Sequence, residues 1–211
     1  TDQGQAVMNT KRELFRFVGT AIAVIPLLVA CGSSPPVNYY SLESLNTEYS
    51  RDAETALLIG VGPLRTPDYL TRSRIVTRGE NGEVFIDDFN RWAEPVDDAI
   101  YRIVSLSLDI MLEDAVVIGY PYTHVADIDY QLIGRIDTFG ADHNGHVELR
   151  VQWAVATPNG DTLVSPKRAI YEARASSGRD YPSIARAMSE TLQQFSRDVA
   201  TEIESALADQ T

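Results

Sequence analysis

Val147-Glu148-Leu149-Arg150-Val151-Gln152-Trp153-Ala154-Val155-Ala156 alternates apolar and polar side chains through most of its length. That period of two predicts a strand with one face against a core and the other in water. Its neighbours repeat the pattern. Asp129 to Phe139 sets Tyr130, Leu132, Ile133 and Ile136 among polar residues, and Leu163 to Arg174 follows the turn sequence Pro158-Asn159-Gly160. Three long strands joined by short turns predict an antiparallel sheet with a single buried face.

Two segments have the helical period instead. From about Val96 to Leu112, Ile100, Ile103, Val104, Leu108, Met111 and Leu112 share one face, with Asp97 or Asp98 placed to cap the start. A second helix opens at Pro182, a residue suited to a first turn. It carries Ile184, Met188, Thr191, Leu192, Phe195, Val199, Ile203 and Leu207 on one stripe to about Ala208. Shorter strands are expected at Tyr39 to Leu42, at the continuous apolar run Ala56 to Gly62 in the middle of a sheet, and at Val116 to Ile118. A hairpin is expected between Ile75–Arg78 and Val84–Ile86 across Asn81-Gly82. Prolines 63 and 67 predict an irregular path from Pro63 to Leu70. The fold class is therefore α+β, a mostly antiparallel sheet with two amphipathic helices packed on it, in one domain over residues 39–208.

The first forty residues follow a different logic. Lys11, Arg12 and Arg16 precede Phe17 to Ala30, fourteen residues without a charge. A bilayer span needs about 20 apolar residues, so this is the length of a signal-peptide core. It ends Leu28-Val29-Ala30-Cys31-Gly32, which resembles the lipobox of bacterial lipoproteins. The resemblance implies that residues 1–30 are removed, with Met8 the natural start. Cys31 then carries diacylglycerol on sulfur and an acyl chain, such as palmitate, on its amine. Two or more chains anchor stably where one is marginal. Gly32 stands where an Asp would signal inner-membrane retention, so the periplasmic face of the outer membrane is expected, with the inner membrane second. Residues 31–38, small and Pro-rich, read as a lipidated tether.

With Cys31 lipidated no thiol is left for disulfide, nucleophilic or metal chemistry. The whole chain has 18 basic and 30 acidic side chains, and loss of residues 1–30 leaves 15 against 28, a net charge of −13. Such a surface excludes nucleic acid as a partner and argues against a polybasic hold on anionic lipid. Catalytic patterns are weak. There is no G-x-S-x-G, Gly60-Val61-Gly62 lacks a third glycine, and Asp87-Asp88 and Asp97-Asp98 read as turn and cap residues. His143-Asn144-Gly145-His146 predicts a type I′ turn with two imidazoles facing each other. Even with Asp142 alongside, they make a poor metal site. No enzyme, metal or cofactor is expected.

Aromatic and arginine side chains gather between Pro67-Asp68-Tyr69-Leu70, Arg78 and Arg91-Trp92-Ala93-Glu94-Pro95. These types favour interface hot spots, but they pack equally well over a core edge, and for Trp92 both alternatives are open. The ordered set YYSL, IGVGP, PDYLTRSRIVTR, RWAEP, helix, V-x-L-x-V-x-W strand and final helix resembles the PqiC/YmbA-type ABC-type transport auxiliary lipoproteins from Tyr39 to about Leu207. The resemblance implies a fold similar to the N-terminal domain of TolB and no catalytic residues. It also implies a non-enzymatic role in an MCE system moving phospholipids or other hydrophobic molecules, with an MCE-domain protein as partner and a homo-oligomeric ring as a possible assembly. Pro67 to Leu70, Arg78, Arg91, Trp92, Glu94 and Pro95 are then a docking or structural surface. The alternative is a free-standing cell-envelope binding or scaffolding lipoprotein.

Overall fold

The structure, a computed structural model, describes residues 34–44, 57–122 and 128–210. Cys31, His124 and the start of the Ala56 run lie outside them. The chain divides into two units, Thr1–Pro36 and Val37–Thr211. All the described helices and strands belong to the second, which is an α+β domain.

The long strands form as the alternation predicts. β6 (Tyr130–Ala141), β7 (His146–Ala156) and β8 (Thr162–Arg174) are consecutive antiparallel neighbours. Val147, Leu149, Val151, Trp153 and Val155 are buried, while the alternate residues of β7 face outward. The sheet continues on the other side with β2 (Leu57–Arg65) and then β5 (Ala115–Gly119), both parallel additions, giving the order β5-β2-β6-β7-β8. The expected central position of the apolar run is therefore met. The strand runs past Pro63 to Arg65, however, because a register shift between Val61 and Leu64 absorbs the proline.

A second, smaller sheet has the order β1-β4-β3, with β1 (Asn38–Tyr40) parallel to β4 (Val84–Trp92) and β3 (Arg74–Arg78) antiparallel to it. The Asn81-Gly82 hairpin is present, and both residues take the positive φ that their types permit, 56° and 84°. β4 is much longer than the apolar triplet Val84 to Ile86 suggested. Asp87-Asp88 gave no apolar signal, yet β4 continues to Trp92 between its two partners.

α1 (Val96–Met111) and α2 (Tyr181–Ala208) pack together and cover one face of the large sheet. Phe195 of α2 meets Trp153 edge-on at 6.0 Å and Tyr171 at 5.8 Å. Buried Ser189, Thr191 and Ser196 satisfy their hydroxyls on carbonyls three or four residues back in α2, so small polar residues sit in the helix contact at little cost. Asp180 caps α2 by accepting from the Ser183 amide. At α1 the cap differs from expectation. Pro95, at φ −54° and ψ 135°, holds the N-cap position without a side-chain bond, and Asp97 and Asp98 lie within the first turn. There they favour the positive end of the helix dipole.

Candidate functional site

The Pro67–Pro95 cluster is the seam between the two sheets. Pro67 leads into a 3-10 turn over Asp68–Thr71, closed by Thr71 Oγ1 donating to the Asp68 carbonyl at 2.8 Å. This turn drives Leu70 into the core and points Tyr69 at β6. The Tyr69 hydroxyl donates to the Phe139 carbonyl at 3.2 Å and accepts from the Phe139 amide at 3.0 Å. It does so because pairing between β2 and β6 has ended at Arg65 and Arg135, and no described strand pairs with Phe139 on that side. Arg78 continues the stitch, its guanidinium donating to the Gly140 carbonyl at 3.3 Å while its own carbonyl accepts from the His143 amide.

Trp92 is 6% exposed, its amide donates to the Ser73 carbonyl at 2.7 Å, and it belongs to the core. Of the two openings left for it, the structure takes the packed one. Leu70, at 4% exposed, is buried with it, so both side chains fall on the structural half of that alternative, because the 3-10 turn and the end of β4 both lean inward. Arg91 is half-buried, with Nε lacking a partner among the described residues. Glu94 is 2.5 Å from Arg102, which also donates to the Leu42 carbonyl. The Pro95 carbonyl accepts from the Ala99 amide in the first turn of α1.

The histidines also differ from expectation. The turn after β6 is not type I′, since Gly145 alone takes a positive φ there, at 80°. Asp142 accepts from the amides of Asn144 and His146 and sets the turn itself. His143 faces Glu80 at 3.3 Å and His146 faces Glu172 at 3.3 Å, so the imidazoles part company. Ligand atoms of His146, Glu148 and Glu172 do lie within 4.8 Å of one another on the open face of β7 and β8. They could hold a cation, but the Arg150 guanidinium already neutralises Glu148 at 3.1 Å.

A second surface lies along β4, where the sequence pattern predicts only a strand. Val84, Phe85, Ile86 and Phe89 of β4 are between 43% and 56% exposed. Beside them Phe85, Ile86, Asp87, His143, Arg179 and Tyr181 line a groove of about 680 Å³. Burial alone would raise the Asp87 carboxyl. Hydrogen bonds from Tyr181, from the Asn90 side chain and from the amides of Phe89 and Asn90 outweigh it and hold the carboxyl below the usual range. Desolvation and that same carboxylate push the Tyr181 hydroxyl up to about 12. The unbroken triplet V-F-I beside a hairpin turn was the available signal, because alternation would have put only one face in contact with a core.

Among solved structures, one of an uncharacterised protein superposes with a TM-score of 0.66 at 21% identity, covering 80% of this chain and 99% of that one. A protein from Xanthomonas campestris gives 0.62 at 17% identity, covering 82% and 100%. Both are likenesses of fold. The PelC dodecamer of Paraburkholderia phytofirmans is more distant, with a TM-score of 0.39 at 11% identity over 74% of this chain and 94% of that one. No curated protein matches. No helix among the described residues is long and apolar enough to cross a membrane. Residues 40–200, from the first strand through most of α2, match one family description throughout, and the chain belongs to the ABC-type transport auxiliary lipoprotein components.

Proposed function

We propose that acyl chains on Cys31 hold this domain to the periplasmic face of the outer membrane, where it completes an ABC-type transporter by docking its MCE-domain protein. The cargo is then phospholipid or another hydrophobic molecule crossing the periplasm. The reading rests on one observation above all: the family match over residues 40–200 begins nine residues after a lipobox cysteine. A domain so close to its anchor stays beside the membrane, since each residue extends the chain by at most about 3.3–3.6 Å. The docking surface belongs to the domain rather than to the tether. Of the candidate residues, the exposed part of the seam, Asp68 and Pro95 with the half-buried Tyr69 and Glu94 beside them, is the portion that a partner reaches. In this reading the protein adds position and contact to the transporter and performs no chemistry of its own.

Co-purification tests it. Native protein extracted from membranes in mild detergent should bring down an MCE-domain protein together with the permease and ATPase of the same system. Recovery without any of them, from cells that express the transporter, would favour the free-standing scaffold instead.

A further inference from the structure

Among the described residues, six of the eight large apolar side chains that are exposed sit in one corner: Val37 and Tyr39 at β1, and Val84, Phe85, Ile86 and Phe89 along β4. Successive strand residues point to opposite faces, so Val84 and Ile86 lie on one side of the β3–β4 hairpin and Phe85 on the other, while Phe89 follows the register shift beyond Ile86. The hairpin is thus apolar on both faces. One edge of β4 is also open, since β1 pairs only with Asn90, Arg91 and Trp92 and no described strand pairs there with Val84 to Phe89. A neighbouring protein strand would satisfy the edge and leave the faces wet. The interfacial layer of a membrane covers both faces and still supplies water and headgroups to the open edge.

β1 runs parallel to β4 and meets it at Asn90, so the chain enters β1 from the same end at which the hairpin projects. From Asn90 back to Val84 is about 20 Å of strand at about 3.3 Å per residue. Cys31 lies seven residues before Asn38, a reach of at most about 25 Å. The anchor and the hairpin tip are therefore tied to one point by lengths of similar size. Three of the acidic groups nearby have partners. Asp87 is bonded to Tyr181 and Asn90, Asp88 is 3.3 Å from Arg74, and Glu80 is 3.3 Å from His143.

We propose that the tip of the β3–β4 hairpin, with Val37 and Tyr39, rests in the interfacial layer of the membrane that carries the acyl anchor. This rests on lipidation of Cys31 and goes beyond it, making the membrane contact two-point and fixing which side of the domain faces the lipid. Exposed Glu83 at the tip limits the depth to the headgroup boundary.

The test uses full-length lipidated protein in phosphatidylethanolamine–phosphatidylglycerol vesicles, with a nitroxide on Phe85→Cys or, as a control on the open sheet face, Arg168→Cys. The native thiol is taken by lipid, so each label is unique. In sedimented vesicles, collision with a water-soluble nickel chelate should be about threefold or more lower at 85 than at 168, with oxygen collision raised, as interfacial burial demands. Equal nickel access at the two sites, in protein whose intact mass shows the acyl chains, overturns the hairpin contact and spares the anchor. Unacylated protein left in the supernatant overturns both. Label–label broadening at 85 that disappears on dilution with unlabelled protein would show a second copy covering the tip, and would also overturn it. Hydrogen exchange of the unlabelled protein checks the same point without substitution: amides 84–89 should slow on vesicles, and unchanged rates refute the contact.

Discussion

Replacing Tyr69 by Phe removes one oxygen and isolates two backbone groups. Phe139 is 1% exposed, and the Tyr69 hydroxyl serves both its amide, at 3.0 Å, and its carbonyl, at 3.2 Å. Each bond contributes about 0.5–1.5 kcal/mol net, and leaving a buried group without a partner costs about 1–3 kcal/mol. The ring of Tyr69 stays, so no cavity term is added. We expect a loss of about 2–3 kcal/mol. With a urea slope near 2 kcal/mol/M, the unfolding midpoint should fall by roughly 1–1.5 M at unchanged slope. Equilibrium unfolding followed by tryptophan fluorescence reads this directly. A shift below about 0.25 M, or roughly 0.5 kcal/mol, would refute the reasoning, because water would then be replacing the hydroxyl at no cost. Tyr101→Phe is an internal comparison, since its hydroxyl closes the amide and carbonyl of Leu64 in the same way at 3.1 and 3.0 Å.

Three further outcomes are expected. Trp92→Ala should cost about 3–5 kcal/mol in unfolding experiments and leave partner binding unchanged in folded protein; lost binding at full stability would return Trp92 to the surface. Gly134→Ala should destabilise by about 2 kcal/mol or more, read by calorimetry, because an added Cβ would lie 2.2 Å from the Gln152 carbonyl oxygen where β6 and β7 pair. The Asp87 carboxyl is held low in the folded state, so its contribution is present above the unfolded value near 3.9 and is lost as pH falls through the folded one. Asp87→Asn should flatten the acid limb of a stability–pH curve below about pH 4, and an identical limb would show that the carboxylate is not held by its bonds.

What the sequence made legible is what local pattern encodes. The alternation of β7, the 3.6-residue stripe of both helices and the Asn81-Gly82 turn each specify structure within a dozen residues, and all are present. The parallel pairings of β2 with β5 and β6, and of β1 with β4, were not legible. Alternation says which face is buried but not which strand lies alongside. The first cap of α1 was misplaced because Pro95 sets its own φ and needs no carboxylate. Trp92 and Leu70 could be chosen from their residue types yet not assigned to core or surface, since that depends on how the 3-10 turn after Pro67 leans on β6. His143 and His146 were separated by Asp142 taking two turn amides, a contact that spacing alone does not reveal.

Every step of the proposed function depends on a membrane anchor at Cys31, and the intact mass of the protein purified from native membranes tests that most directly. The expected species begins at Cys31 and carries the added mass of diacylglycerol and an amide-linked acyl chain. A native chain that retains residues upstream of Cys31, or that begins at Cys31 with a free thiol, would contradict it.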